Sequence, residues 1–247
     1  MSERLYLLAG WSFGRSALEP LRQALADPLS ASVDALPGHG DGLPEPPSES
    51  LAGVADALAA RVPEGVVGIG WSLGGTALLE LARRGVAFQG VVVLATTPRF
   101  TATEDWPDAV PRAELAAMQA GLARSPAATV RRFRRRLARV SSADAAAASG
   151  AWDATQAGLA AGLAALAEAD LRPALEQGLG GVPVLWIGGD QDPLVPPEAV
   201  RGAAALRGDP YEILPGAGHQ LQWTHAGEVA QRIRAWVGAS GSEESER

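Results

Sequence analysis

Residues Val66–Ala82 read VVGIGWSLGGTALLELA, and the way this stretch divides decides the fold. Val66–Ile69 is a short apolar run, as a buried strand is. From Thr76 to Arg84 the apolar residues recur at helical spacing. Between them lies Gly70-Trp71-Ser72-Leu73-Gly74, a G-x-S-x-G turn with a strand before it and a helix after it. In that context the serine is held on a strained turn, and the flanking glycines let strand and helix pack without side-chain clashes. The bland alternative is a glycine-rich turn that happens to hold a serine. The strand and helix on either side favour the nucleophile reading, and Ser72 is the candidate.

The same alternation extends outward. Leu5–Ala9 and Ala31–Leu36 read as strands, Leu51–Val62 as a helix, and Val91–Ala95 as a continuous apolar strand of the kind buried on both faces. After a long interruption the pattern resumes with Val184–Ile187 (strand), Glu198–Leu206 (helix), Tyr211–Leu214 (strand) and Glu228–Val237 (helix). Strand–helix alternation predicts an α/β protein, a mostly parallel sheet flanked by helices. Pro98–Gly181 is rich in Ala, Leu and Arg and reads as helical throughout. The expected organisation is therefore a core of residues 1–97 and 182–238, a helical lid inserted at 98–181, and a polar, disordered tail at 239–247.

Composition narrows the chemistry. The 247 residues carry a net charge of -7 and a pI near 5.1. Cysteine is absent, which excludes disulfides, thiolate zinc sites and cysteine nucleophiles. Lysine is absent too, so Schiff-base and pyridoxal chemistry on a lysine amine is excluded and every basic side chain is Arg. The N-terminal MSERLYLLAG lacks the layout of a signal peptide, and no apolar run approaches the ~20 residues of a membrane span. A cytoplasmic protein is expected.

A serine nucleophile needs a base, and the base an orienting acid. On this kind of sheet the order along the chain is Ser, then Asp or Glu, then His. Of the three histidines, His39 precedes Ser72 and reads as a loop residue near the site mouth. His219 follows the strand Tyr211–Leu214, at the sheet's carboxyl edge, and is favoured over His225, which sits about where the last helix begins. The acid follows the strand Val184–Ile187, and either Asp190 or Asp192 in GGDQDPLVP could serve. The oxyanion hole calls for two backbone N–H groups, one from Leu73 and one from the GWSFG loop after the first strand, at Trp11.

These residues resemble the α/β-hydrolase superfamily and, within it, the pimeloyl-[acyl-carrier protein] methyl ester esterases of biotin synthesis. LLAGWSFG is similar to that family's first-strand loop, and GWSLGG to its nucleophile turn. TTPRFTATEDWP and DLRPALEQ resemble the stretches leading into and out of its lid, and DPLVP and AGH its acid and base. The resemblance implies an α/β-hydrolase fold with an inserted helical lid. It implies a serine carboxylesterase that hydrolyses the methyl ester of pimeloyl-[acyl-carrier protein] and releases methanol. By position it assigns Ser72, Asp192 and His219 to catalysis, with Asp192 preferred because it precedes the L-V-P run. Trp11 and Leu73 match residues that bind the oxyanion and substrate, and Phe133, Arg134, Arg135, Arg136 and Leu137 match a lid segment that lines the acyl channel. It implies no cofactor and no metal, a carrier-bound substrate, and neither nucleic acid nor membrane as partner; a monomer is expected. The alternative is a general short-acyl carboxylesterase or another serine hydrolase of the same fold.

One stretch stands apart from the acidic whole. Thr129–Val140, TVRRFRRRLARV, holds six of the 21 basic residues. On a helix, Val130, Phe133, Leu137 and Val140 form an apolar stripe, Arg131, Arg132, Arg135 and Arg139 face away from it, and Arg134 and Arg136 fall at the margins. A solvated face is the bland reading of a charge run. A one-signed patch on a protein of the other sign attracts and steers an acidic partner, and acyl carrier proteins are acidic and carry a phosphate that Arg binds bidentately. Arg131, Arg132, Arg135 and Arg139 are the expected carrier-protein contacts.

Overall fold

The computed structural model describes residues 4–26, 29–40, 44–140, 142–148 and 154–244. Its elements in chain order are β1 (Arg4–Leu8), α1 (Glu19–Leu25), β2 (Ser30–Asp34), α2 (Leu51–Ala59), β3 (Val66–Trp71), α3 (Leu73–Arg83) and β4 (Phe88–Leu94). Then follow α4 (Arg112–Arg124), α5 (Pro126–Leu137), α6 (Ser142–Ala148), α7 (Gln156–Glu168) and α8 (Arg172–Glu176). The chain closes with β5 (Val184–Gly189), α9 (Pro197–Ala205), β6 (Tyr211–Leu214), α10 (Leu221–Thr224) and α11 (Ala226–Glu244). Among the described residues no helix is long and apolar enough to cross a membrane.

Six strands form one sheet in the order β2-β1-β3-β4-β5-β6, and every neighbouring pair is parallel. A parallel sheet needs both faces covered, which is why its central strands are apolar runs rather than alternating ones. β3 and β5 are buried at every residue, while the edge strands β2 and β6 are mostly half-buried or exposed. From β1 the chain winds to β2 on one side, then returns to build β3 to β6 on the other. The carboxyl ends of β1 and β3 therefore flank a crevice, and such switch points are where α/β sheets hold ligands.

The helical insertion lies between β4 and β5 and comprises α4 to α8. Its first part, residues 98–111, is not helical as the composition suggests. It runs extended, with bridges pairing Thr101 with Val110 and Thr103 with Trp106. Pro98, Pro107 and Pro111 restrict the backbone, and the β-branched Thr101 and Thr103 favour extended conformations. The two stretches that bracket the lid are tied to each other. Leu171 N–H donates to the Pro98 carbonyl at 3.0 Å, Arg99 and Arg172 both pair with Asp170, and Arg172 also reaches Asp105 at 2.9 Å. Hydrogen bonds from Arg172 and then Arg99 pull the Asp170 carboxyl down to about 2, so the clasp stays ionised at neutral pH. The last helix runs on to Glu244, so residues 239–244 of the expected disordered tail are helical; no proline stops the helix after Val237. Residues 245–247 lie outside the described residues.

Candidate active site

Ser72 sits between β3 and α3 with φ 55° and ψ -125°, a conformation side chains rarely adopt. Such strain is of the order of 1–3 kcal/mol and persists only where the surroundings impose it. Here the Ser72 N–H donates to the Leu94 carbonyl at 2.8 Å, and its own carbonyl accepts from Gly75 N–H at 2.8 Å and from Thr96 Oγ1 at 3.0 Å. The turn also requires Gly74. A Cβ there would lie 2.4 Å from the Leu8 carbonyl oxygen, so a side chain would push α3 off β1.

His219, in the turn between β6 and α10, is fully buried. Its Nε2 lies 3.0 Å from Ser72 Oγ and its Nδ1 2.8 Å from Asp192 Oδ2. Asp192 Oδ1 accepts from the N–H groups of Leu194 and Val195 at 2.7 and 3.0 Å, which fixes the carboxylate from behind. With Nδ1–H donating to the carboxylate, Nε2 carries the lone pair that can accept the serine proton. Trp71 Nε1 donates to the His219 carbonyl at 2.8 Å and holds the turn. Asp190 is exposed and turned away, and its Oδ1 accepts from Gly216 N–H at 2.7 Å. His225 is half-buried, with Nδ1 2.9 Å from Thr224 Oγ1 and its carbonyl accepting from Val229 N–H.

The loop after β1 lies against the serine. A Cβ on Gly10 would stand 3.1 Å from Ser72 Cβ, so Trp11 and Leu73 flank the nucleophile from two chain segments. Leu73 opens α3, so its N–H is one of the helix's partnerless first donors, at the positive end of the helix dipole. An oxyanion there is favoured for the same reason that phosphates collect at helix N-termini.

Two lid residues that sequence reasoning passed over complete the surroundings. Trp11 Nε1 donates to the Leu159 carbonyl of α7 at 2.9 Å. A Cβ on Gly162 of the same helix would fall 2.5 Å from Trp11 Cδ1 and 3.1 Å from Leu73 Cδ2. The readable signal was Gly158 and Gly162, one helical turn apart in a helix otherwise built of Ala and Leu.

The lid segment Phe133–Leu137 divides by burial. Phe133 packs edge-on to Trp11 at 5.0 Å, and Leu137 is buried beneath the helix. Arg131, Arg132, Arg135 and Arg139 are exposed. Arg134, placed at the margin of the stripe by helical periodicity, is instead buried. Burial pulls its guanidinium down to about 10, still cationic at neutral pH. Arg136 pairs with Glu114 and donates to the Pro193 carbonyl at 2.7 Å, next to Asp192. Between α4 and α5 lies a cavity of about 710 Å³, with Met118, Ala128 and Phe133 on its apolar side and Arg132, Arg135 and Arg139 on its basic side. Ser72, Asp192 and His219 do not line it; Phe133 and Arg136 do, and both reach the site as well.

His39 is fully buried, with Nδ1 3.0 Å from the Pro37 carbonyl. Burial, reinforced by the Arg134 charge and opposed by the Pro37 hydrogen bond, lowers it to about 4. Its ordinary value is near 6.5, so the unfolded chain binds the extra proton between those pH values. The stability His39 supports is therefore full above pH 6.5 and falls as pH drops towards 4. Urea midpoints at pH 7 and pH 4.5 should differ less in His39→Phe than in wild type, by a stability difference of about 2–3 kcal/mol. Equal acid losses in the two proteins would assign the slope to other groups.

Among the described residues, no group of three or more His, Cys, Asp or Glu side chains could hold a metal ion. The sequence profile described as the alpha/beta hydrolase family matches residues 5–232. The pimeloyl-[acyl-carrier protein] methyl ester esterase of Stenotrophomonas maltophilia (strain R551-3) is 37% identical over 94% of this chain and 92% of its own. That of Xanthomonas oryzae pv. oryzae (strain MAFF 311018) is 33% identical over 94% of each chain. Among solved structures, a bromoperoxidase from Bacillus anthracis superimposes with a TM-score of 0.82 at 20% identity, covering 96% of this chain and 92% of that one.

Proposed function

This chain belongs to the alpha/beta hydrolase family, and from that premise we propose that it is a serine carboxylesterase that hydrolyses the methyl ester of pimeloyl-[acyl-carrier protein], the reaction its relatives are named for. One observation carries the reading: the hydrogen-bonded run Ser72–His219–Asp192 beneath a lid that presents a one-signed basic face. His219 Nε2 takes the proton from Ser72 Oγ as that oxygen attacks the ester carbonyl carbon. The N–H groups of Trp11 and Leu73 hold the resulting oxyanion. Its collapse breaks the bond to the methoxy oxygen, which leaves as methanol with the proton from His219. Water, deprotonated by His219, then attacks the acyl-enzyme, and the free carboxylic acid departs from Ser72. Trp11, Leu73, Phe133 and Leu137 wall the acyl group, and Arg131, Arg132, Arg135 and Arg139 meet the acidic carrier.

The deciding comparison sets a carrier-bound pimeloyl methyl ester against free short-chain esters, backed by growth rescue of a biotin-requiring strain that lacks its own esterase. A higher kcat/KM on the carrier-bound ester, with rescue, supports the reading. A preference for free short esters without rescue makes the protein a general carboxylesterase.

The arginine face has its own test. Rim charges act on encounter and salt dependence more than on chemistry. Reversing Arg131, Arg135 and Arg139 to Glu should raise KM for the carrier-bound ester by roughly tenfold or more while kcat stays within about twofold. Added salt should lower wild-type kcat/KM on that substrate, since exposed charges are screened beyond ~8 Å at physiological ionic strength. Hydrolysis of a p-nitrophenyl acyl ester should respond to neither change. Equal losses on both substrates would mean that the helix serves lid folding, and unchanged kinetics on both would return these arginines to a solvated face.

A further inference from the structure

The three residues after Gly10 are each gripped by the lid. Trp11 is held by the Leu159 carbonyl and the Phe133 ring. Ser12 is almost fully buried at φ 67°, a left-handed conformation that a non-glycine residue keeps only under constraint. The constraint comes from Arg134, whose Nη2 donates to the Ser12 carbonyl and whose Nε lies 3.5 Å from Ser12 Oγ. The same guanidinium stacks 4.2 Å over the ring of Phe13. Phe13 in turn packs against Trp71 at 4.9 Å, and Trp71 holds the His219 carbonyl. A buried arginine on the lid thus spans the loop on which the Trp11 N–H is mounted and reaches, through two aromatic rings, the turn that carries His219.

We infer that Arg134 is a positioning residue for the oxyanion hole: by clamping the strained Ser12 peptide and the Phe13 ring it fixes the direction of the Trp11 N–H, so the lid forms part of the catalytic scaffold. It does not contact the acyl chain, and it is set apart from the outward arginines by burial and by its partners. The inference rests on the serine-esterase reading. A loosened loop misplaces a donor that acts only on the tetrahedral intermediate, so the loss should fall on kcat and spare KM.

The test measures Arg134→Met, Arg134→Lys and, as a control, Arg132→Met with a p-nitrophenyl acyl ester, together with inhibition by a trifluoromethyl ketone, which forms a tetrahedral adduct on the serine. Arg134→Met should lower kcat roughly 10- to 100-fold with KM within about twofold, and weaken the ketone by a similar factor. Lysine should restore part of both, since it keeps the charge and one donor, and Arg132→Met should change neither. If the methionine variant does not fold by thermal melting, the lysine variant alone decides through the same parallel loss of kcat and ketone affinity. A raised KM with intact kcat would make Arg134 a substrate contact. Unchanged kinetics in a folded variant would leave it a packing residue, and either outcome overturns the inference. Failure of the underlying reading is separable: wild-type protein would then neither hydrolyse the ester nor react with a fluorophosphonate at Ser72.

Discussion

Ser72→Ala should lower kcat on an ester by roughly five to six orders of magnitude, leaving the small residue due to binding and the oxyanion hole. Substrate binding should survive, because the acyl walls and the backbone donors are untouched. Fluorophosphonate labelling should vanish with the hydroxyl. His219→Ala should cost nearly as much, since the 3.0 Å contact to Oγ is the only route in the triad by which the serine proton leaves. The double variant should be no worse than either single one, because groups acting as a unit are not additive. His225→Ala should stay within about twofold of wild type, as its Nδ1 is engaged with Thr224. An active Ser72→Ala protein, or a dead His225→Ala beside a live His219→Ala, would remove the proposed chemistry.

Such variants can be chosen from sequence because much of the site is written in local patterns. Val66–Ile69 and Val91–Ala95 announce central strands, since only strands buried on both faces are apolar without interruption. The boundaries are less legible. β3 runs on to Trp71, where Gly70 and Trp71 pair with Val93 and Leu94, although Gly-Trp reads as the start of a turn. α3 begins at Leu73 rather than Thr76, because Gly74 and Gly75 are poor helix formers kept for the close approach of backbones. The stretch 98–111 misleads for the opposite reason: its neighbours are helical, and its own prolines and threonines dictate otherwise.

The lid shows where sequence reasoning stops. Periodicity places Arg134 at the edge of an apolar stripe and says nothing of how deep the helix lies. Its partners Ser12 and Phe13 are more than a hundred residues away, and only the folded chain brings them under the guanidinium. A run of six arginines therefore contains side chains of different kinds, outward ones in solvent and at least one built into the interior. Charge counting cannot separate them.

The choice between Asp190 and Asp192 leads to the other large effect. Two residues apart in one loop, they are equivalent by spacing, but Asp190 ties its loop to Gly216 while Asp192 lies buried against His219. Asp192→Asn should lower kcat about 10³- to 10⁴-fold. The reason lies in the hydrogen-bond arithmetic. If the amide oxygen keeps the N–H groups of Leu194 and Val195, the amide NH₂ must face His219 Nδ1. Nδ1 can then only accept, the ring proton moves to Nε2, and Nε2 loses the lone pair that would take the Ser72 proton. If the amide flips instead, its NH₂ confronts two backbone donors and the loop loses both bonds. In either arrangement the imidazolium formed during attack has no carboxylate beside it. Asp190→Asn keeps an acceptor for the Gly216 N–H in an exposed position, so its activity should remain within about twofold of wild type and its melting temperature close to it. Side-by-side kcat values on one ester, with thermal melts as the folding control, check both. Small and equal losses would place the acid elsewhere in the fold, and a larger loss at Asp190 would exchange the two assignments.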